Sequence, residues 1–206
     1  NSDIEEIYKF YNSDKLYKNK WSKTNLGNRL IHNERFAYIK KKLKDQNFNL
    51  KENKILEIGC ASGEIINDLI RLGANEEKIL GIDIRKESIS KAKTLFPYAK
   101  IELMDASQLQ FKNCTFDLVT AFTLFSSVLE LNLRKKIAAE IIRVLKPNGI
   151  ILFYDMRFNN PFNKYVLGIK RNELKKLFPK TKIISNHITL FPYLTRTINF
   201  KTKTLY

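Results

Sequence analysis

From Lys54 onward, short apolar runs alternate with longer stretches of helical periodicity. The apolar runs predict strands at residues 54–58, 79–83, 100–104, 116–122 and 149–155. Between them, apolar residues recur at helical spacing and predict helices at residues 63–73, 86–96 and 131–146. The strand runs do not alternate with polar residues, which is typical of strands buried on both faces. Because strands and helices alternate, the pattern predicts an α/β fold with a mostly parallel sheet and right-handed crossovers.

The N-terminal segment has a purely helical pattern. Apolar residues recur at helical spacing over residues 1–46, with a break at Asn25–Asn28 and a second helical stretch at Leu30–Leu43. We therefore predict an N-terminal helical cap, or lid, at residues 1–50 and the main domain at residues 51–206. The 44% hydrophobic content suits a single globular unit with a sizeable core.

The sequence pattern of the C-terminal third predicts four further features. Pro147–Gly149 predicts a sharp stop between the preceding helix and the strand that follows it. A short helix is predicted at Arg171–Phe178, where Pro179 closes it, followed by a sixth strand at Lys182–Leu190. A seventh strand is predicted at residues 198–206.

The loop after the first predicted strand carries the most specific motif of the chain. It runs through Glu57, Gly59, Cys60, Ala61, Ser62 and Gly63 into a helix. A strand, a tight glycine loop and a helix together hold a nucleotide-like ligand at the helix N-terminus. Gly59 and Gly63 let the backbone approach such a ligand, and Ser62 and the amides after it can donate hydrogen bonds. Ala61 stands where the dinucleotide fingerprint has its second Gly, which disfavours a dinucleotide-dependent oxidoreductase.

Two acidic residues follow the next two predicted strands. Asp83 lies 20 residues after Gly63, where a carboxylate can accept hydrogen bonds from both hydroxyls of a ribose. Asp105 ends the third strand. Because the carboxyl ends of parallel strands meet at one edge of a sheet, we expect both acids at the ligand-binding edge.

These motifs, taken as a series, resemble the class I, Rossmann-like S-adenosylmethionine-dependent methyltransferases, in particular the bacterial type 11 and type 25 groups. The form Glu-x-Gly-x-x-x-Gly resembles their first motif, Phe116–Phe122 their fourth strand and Leu145–Leu152 the entry to their fifth. Asn148 replaces a Gly of that entry, and Asn tolerates the left-handed conformation that such a turn needs. The resemblance covers roughly residues 50–156 and implies a three-layer α/β/α sandwich.

The resemblance also implies the cofactor and its site. The cofactor is S-adenosylmethionine, which leaves as S-adenosylhomocysteine. In the family, the residue at Glu57 lies near the methionine portion, the residue at Ile84 lies against the adenine, and the residue at Asp105 accepts from the adenine amino group. The implied cofactor-binding set is Glu57, Gly59, Cys60, Ala61, Ser62, Gly63, Asp83, Ile84, Asp105, Ala106 and Phe122, with weaker candidates Trp21, Arg29 and Arg35.

The methyl acceptor is less constrained. Base-methylating members often carry Asn/Asp-Pro-Pro-Tyr/Phe after the fourth strand, whereas this chain has Ala121-Phe122-Thr123-Leu124. No carboxylate cluster stands at residues 120–125, so we expect no catalytic metal. The C-terminal segment resembles a bacterial subgroup often encoded with surface-glycan genes. These features favour O-methylation of a small molecule or a surface-glycan sugar, for which His32 and Asp155 are weak candidates as the general base.

The aromatic N-terminal segment has two interpretations. Tyr8, Tyr11, Tyr17 and Trp21 predict a lid that shields the transferring methyl group, or equally the packing of two helices on the sheet. Arg29 and Arg35 are candidates to pair with the carboxylate of the cofactor.

Charge is unevenly distributed. The net charge of +16 divides into +5 over residues 1–53, +2 over 54–148 and +9 over 149–206. The excess indicates an anionic acceptor or partner (a phosphorylated sugar, RNA or a membrane surface), or only a Lys-rich composition. An RNA or ribosome methyltransferase is one alternative function, disfavoured because no RNA-binding module is visible. A cofactor-binding partner subunit that methylates no acceptor itself is another.

Cysteine usage and hydropathy bear on location. Cys60 and Cys114 form no metal-ligand pattern, and no apolar run approaches the ~20 residues of a membrane span. We therefore expect a cytoplasmic protein. The sequence leaves the oligomeric state open.

Overall fold

The computed structural model of the protein describes residues 25–161 and 163–189. These residues divide into two compact units: Phe48–Ser185, and a smaller unit whose described residues are 25–47 and 186–189. The described part of the smaller unit contains one helix, α1 (Leu26–Asp45). Asn25 caps it, since its Oδ1 accepts from the Asn28 amide at 3.3 Å. The helical stretch predicted at Leu30–Leu43 therefore begins earlier, at Leu26, because the Asn25 side chain caps its first turn.

The larger unit contains a sheet of five parallel strands in the order β3-β2-β1-β4-β5. Its elements are β1 (Ile55–Ile58), α2 (Glu64–Arg71), β2 (Ile79–Asp83), α3 (Lys86–Leu95), β3 (Lys100–Leu103), β4 (Phe116–Phe122), α4 (Leu131–Val144), β5 (Leu145–Tyr154) and α5 (Arg171–Leu177). The chain moves outward from β1 to β3 and then returns to the other side of β1. With right-handed crossovers, this reversal places α2 and α3 on one face of the sheet and α4 on the other. The predicted three-layer α/β fold is confirmed.

The core lies on both faces of the three central strands. All residues of β1 and β2 are buried, and so are six of the seven residues of β4. Aliphatic side chains of α4, among them Ile137 and Ile141, pack against this sheet. Burial on both faces explains why the strands read as continuous apolar runs in the sequence.

The fifth strand differs from its prediction at its start. It begins at Leu145, and its register against β4 shifts between Leu145 and Ile150. The segment predicted as a sharp stop, Pro147–Gly149, is therefore a bulge inside the strand, and the preceding helix ends at Val144. Asn148 has φ +65°, so the prediction of a left-handed residue there is confirmed.

The predicted sixth strand is wrong over its described part. Residues 182–188 have no regular secondary structure, and Ile184 is 59% exposed. An apolar β-pattern forms a strand only where its side chains can be buried, and this segment has no such partner among the described residues. Leu190 and the predicted seventh strand, 198–206, lie outside the described residues. No helix in the described ranges is both long and apolar enough to cross a bilayer.

Candidate functional site

The glycine loop lies at the carboxyl edge of the sheet, between β1 and α2. The amides of Gly59 and Cys60 both donate to the Ile82 carbonyl, at 2.8 and 2.9 Å, so the loop crosses the end of β2. Gly59 has φ +74° and Ala61 has φ +47°, both left-handed. The Gly63 amide donates to the Cys60 carbonyl at 2.8 Å and closes the turn. The sequence motif therefore folds into a tight loop whose left-handed residues are closed by a backbone hydrogen bond.

Both the lack of space for a side chain and the backbone conformation require glycine at position 63. It starts α2 with φ +90°. A Cβ built on it would lie 2.2 Å from the Phe96 ring. The helix N-terminus can thus stand close to the end of α3 only because this position has no side chain. The first amides of α2 point toward the carboxyl edge, as a ligand-binding helix start requires.

Asp83 ties the loop to the end of β2. It is 6% exposed. Its Oδ2 accepts from the Ala61 amide at 2.9 Å and from Arg85 Nη2 at 3.4 Å. Its Oδ1 accepts from the amide of Arg85 at 2.9 Å and from Arg85 Nε at 3.1 Å. A carboxylate offers about four acceptor positions, and these four donors fill them.

The predicted cofactor residues that follow β2 and β3 differ in exposure. Ile84 is 46% exposed beside Asp83. Asp105 is exposed after β3, where its Oδ1 accepts from both the amide and the hydroxyl of Ser107, each at 2.8 Å. Ala106 is buried. The Met104 amide donates to the Asp83 carbonyl at 3.1 Å, so the ends of β2 and β3 are joined. The structure therefore brings Asp83, Ile84 and Asp105 to one edge.

The side chains of Glu57, near the end of β1, and Cys60, in the glycine loop, are buried. Glu57 accepts from the hydroxyl of Thr120 on β4, so its carboxylate joins β1 to β4. Burial raises the pKa of the Cys60 thiol to about 12, and the Asp83 and Glu57 carboxylates add to the rise. The thiol therefore stays protonated at neutral pH and is no nucleophile.

The ends of β4 and β5 form the other half of this edge. Phe122 stacks on Tyr154 with ring centroids 5.8 Å apart. Asp155 follows β5, and its two oxygens accept from the amides of Ser126 at 3.1 Å and Met156 at 2.8 Å. Burial raises the pKa of Asp155 above its ordinary value, against the lowering effect of these hydrogen bonds. A carboxyl with a raised pKa at the ligand edge is a candidate proton acceptor.

Sequence reasoning missed Arg134, which is fully buried on α4. Its Nε donates to the Val128 carbonyl at 2.7 Å, its Nη1 to Glu173 Oε1 at 2.7 Å and its Nη2 to the Leu167 carbonyl at 2.8 Å. It thereby joins the loop after β4 to the segment after β5. The signal was available, because Arg134 shares the helical spacing of the buried residue Ile137.

A second missed pair, Glu140 and Arg143, holds the loop after β3. Glu140 accepts from the Leu109 amide at 2.7 Å, and Arg143 donates to the Leu109 and Phe111 carbonyls at 2.8 and 2.6 Å. The Arg143 guanidinium lowers the pKa of Glu140. This loop follows Asp105, so the pair holds the backbone that continues from the predicted adenine acceptor.

The other predicted residues belong to the smaller unit or lie outside the described residues. His32, Arg29 and Arg35 belong to α1 in the smaller unit, where His32 stacks on Phe36 with centroids 6.4 Å apart. Trp21 lies outside the described residues. The roles proposed for these residues, and the lid, stay predictions. Over residues 25–161 and 163–189, no three His, Cys, Asp or Glu side chains come together as a metal-binding group.

Comparison with known proteins gives related methyltransferases. Residues 55–149, just under half of the chain, match the family model described as a methyltransferase domain. A sterol 4-C-methyltransferase of Caenorhabditis elegans is 31% identical over 126 residues, which cover 58% of this chain and 36% of that protein. A ubiquinone biosynthesis O-methyltransferase of Pelagibacter ubique is 30% identical over 144 residues, covering 66% of this chain and 57% of that protein. The chain spans less than two thirds of the length of either relative.

A solved structure shares the architecture. An S-adenosylmethionine-dependent methyltransferase from Clostridium acetobutylicum superposes with a TM-score of 0.60 at 15% identity, over 72% of this chain and 79% of that one. At this identity the likeness concerns the fold. The parallel sheet, the glycine loop after β1 and the family match over residues 55–149 agree with one another. Residues 55–149 therefore match a methyltransferase domain, and the chain has the Rossmann-like fold of S-adenosylmethionine-dependent methyltransferases.

Proposed function

We propose that this chain is an enzyme that methylates a hydroxyl oxygen of a small molecule or a surface-glycan sugar, with S-adenosylmethionine as the methyl donor. One observation carries the cofactor site: the buried Asp83 carboxylate accepts from the Ala61 amide of the glycine loop at 2.9 Å. The carboxylate that would accept from the ribose is thus hydrogen-bonded to the backbone of the glycine loop. This is the arrangement that a nucleoside placed across the ends of β1 and β2 requires.

The residues at the edge fit the rest of that cofactor. Side chains are lacking at Gly59 and Gly63, where a close approach of the backbone is needed. Ile84 offers an exposed apolar side chain for the face of the adenine, and Asp105 offers an exposed acceptor for its amino group. The cofactor supplies a methyl group that its sulfonium already activates. The protein's contribution is therefore to align the acceptor with that methyl and to exclude water.

Binding of a ribose at Asp83 requires a rearrangement of Arg85. Four donors already fill the carboxylate, and two of them come from the Arg85 side chain. That side chain is 28% exposed, so it can turn toward solvent, whereas the amides of Ala61 and Arg85 are fixed in the backbone. The ribose hydroxyls would replace the guanidinium and leave the two amide hydrogen bonds in place.

Asp155 is the group we assign as the proton acceptor. A hydroxyl must lose its proton as its oxygen attacks the methyl carbon, and a nearby carboxylate can take it. Asp155 lies at the end of β5, on the acceptor side of the edge, and burial strengthens it as a base by raising its pKa. The amides of Ser126 and Met156 hold its two oxygens in position.

Two further observations support a hydroxyl acceptor. Ala121-Phe122-Thr123-Leu124 at the end of β4 lacks the base-methylating motif. The relative from Pelagibacter ubique is named as an O-methyltransferase of ubiquinone biosynthesis. The worm relative is named as a sterol 4-C-methyltransferase, so a carbon acceptor is the competing class that an assay of methyl transfer distinguishes.

The cofactor site is tested by calorimetric titration with S-adenosylhomocysteine, with NAD as the negative control. Asp83→Asn keeps the shape of the side chain but weakens its acceptor, and we expect affinity to fall at least about tenfold, as for the loss of a charged hydrogen bond. Arg85→Met is the matched control, because it removes the ion pair and keeps the carboxylate; its affinity should stay close to wild type or rise. Wild-type affinity in Asp83→Asn would refute the site.

Methyl transfer itself is tested with radiolabelled donor against sugars, nucleotide sugars, quinols and RNA. Transfer to a hydroxyl compound supports the proposal. Transfer to RNA alone would favour the RNA methyltransferase alternative. Binding of S-adenosylhomocysteine without transfer to any of the acceptors would favour the partner-subunit alternative.

A further inference from the structure

The segment Lys170–Ile184, which includes α5, forms a strongly cationic surface. Its six basic side chains are all exposed: Lys170, Arg171, Lys175, Lys176, Lys180 and Lys182. Its only acidic residue is Glu173. This cationic surface belongs entirely to the larger unit.

The single carboxylate of the cationic surface does not neutralise it. Glu173 accepts from the buried guanidinium of Arg134 at 2.7 Å, so its charge is paired with Arg134 and not with the exposed cations. None of the six exposed cations has an ion pair or hydrogen bond from its side chain to another residue of the described ranges. Their charges are therefore available to an anion in solution.

Three of the cations, Arg171, Lys175 and Lys176, lie on α5, and the end of this helix is buried. Leu177 and Phe178 are buried in the main core, and the Phe178 ring packs edge-on against Phe125 at 6.1 Å. A cavity of about 260 Å³ opens between α5 and the turn that follows it, with Arg171, Lys175 and Thr181 in its lining. Two cations at a cavity of this size suit a phosphate-bearing headgroup.

The apolar side chains of the cationic surface favour a bilayer over RNA as the partner that it binds. Phe178 is the one aromatic residue of Lys170–Ile184, and it is buried, so this segment offers no ring on which a base could stack. Ile184 is 59% exposed at the end of the same segment. Exposed lysines next to a protruding aliphatic side chain are the combination that binds the interface of an anionic bilayer.

We propose that the cationic surface docks the protein on an anionic phospholipid bilayer. Phosphate groups of the lipid pair with the lysines and with Arg171, and Ile184 enters the headgroup region. The attachment is peripheral and reversible, and it weakens as salt screens the charges. It does not depend on methyl transfer, since no residue of the cofactor edge takes part.

The test is flotation or sedimentation of the full chain with vesicles of phosphatidylcholine, alone or mixed with phosphatidylglycerol. We expect binding to the mixed vesicles only, weakened by added salt. Each cation near such a surface contributes about fivefold in affinity, so Lys175→Gln, Lys176→Gln and Lys180→Gln together should lower binding by on the order of a hundredfold. Ile184→Ser alone should lower it roughly tenfold, the effect of withdrawing a large apolar side chain.

The matched control removes the same charge elsewhere in the larger unit, with Lys91→Gln, Lys93→Gln and Lys112→Gln, three exposed lysines outside the cationic surface. It should keep most of the vesicle binding. Equal losses in the two triple variants would reduce the effect to net charge and overturn the proposal. So would a failure to bind the mixed vesicles. Binding of a structured RNA that is sensitive to the same lysines but not to Ile184→Ser, without vesicle binding, would replace the bilayer by RNA.

Discussion

Replacement of Arg134 by methionine tests how the loop after β4 and the segment after β5 are held together. The side chain is 0% exposed and donates three hydrogen bonds, of 2.7, 2.7 and 2.8 Å. Methionine has a similar length and fills much of the same space, so the change removes the charge and the donors rather than creating a large cavity.

The expected cost follows from what the three acceptors lose. Removal of one partner from a buried ion pair costs about 3–5 kcal/mol. Glu173 is 27% exposed and regains water, which places the result toward the lower end. The Val128 and Leu167 carbonyls lose a charged donor, at roughly 1.5–3 kcal/mol for each such bond, and the burial of methionine offsets part of this. We expect Arg134→Met to lower the free energy of unfolding by about 3 kcal/mol.

The assay is urea unfolding followed by far-ultraviolet circular dichroism, together with amide hydrogen exchange. Exchange at Leu167 and Ile169 should speed up more than exchange in β1, because these amides lie in the segment that Arg134 anchors. Arg134→Lys keeps the charge but reaches fewer acceptors, so it should lie between wild type and the methionine variant. A loss of under about 1 kcal/mol in Arg134→Met, or equal losses in the two variants, would refute this reasoning.

Three further predictions concern the edge itself. Gly63→Ala places a Cβ 2.2 Å from the Phe96 ring at φ +90°, so it should lower the midpoint of thermal unfolding and weaken S-adenosylhomocysteine binding in calorimetry; an unchanged midpoint would contradict the steric argument. In the folded protein at pH 8, a thiol reagent should modify the exposed Cys114 rapidly and spare Cys60, whose pKa is about 12, as mass spectrometry of the peptides would reveal. If Asp155 is the base, its loss of a proton should make the transfer rate rise with pH through its raised pKa, and Asp155→Asn should remove this limb and lower the rate roughly a hundredfold or more; an unchanged pH profile would exclude it.

The parallel sheet and the glycine loop could be predicted from the sequence because both depend on local information. Burial on both faces makes each central strand a short apolar run, and the spacing of Gly59, Gly63 and Asp83 is fixed by one strand–loop–helix unit. The placement of Ile84 and Asp105 at the same edge then follows from strands being parallel. None of these inferences required knowledge of distant contacts.

The features that were missed depend on distant partners. The bulge at Pro147–Gly149 arises from pairing with β4, which the local turn signal does not contain. The helical spacing of Arg134 indicates burial, but its acceptors lie in the segments after β4 and β5, which that spacing does not identify. The ion pair of Arg85 with Asp83 is an exception, since the two residues are close in sequence: the pattern indicated a carboxylate for a ligand, not the side chain that occupies it.

The position of β1 in the sheet has a consequence for the order in which the chain can fold. β1 lies between β2 and β4, and Glu57 meets Thr120 across a separation of 63 residues. As the ribosome releases the chain, β1 to β3 emerge before β4. Until β4 emerges, the edge of β1 that pairs with it in the native sheet is unpaired. That edge has unpaired backbone groups flanked by the apolar side chains of Ile55, Leu56 and Ile58, so it would attract other chains. Collapse to the native sheet is therefore postponed until β4 and α4 have emerged, and a contact order of this kind favours slow folding that benefits from chaperones.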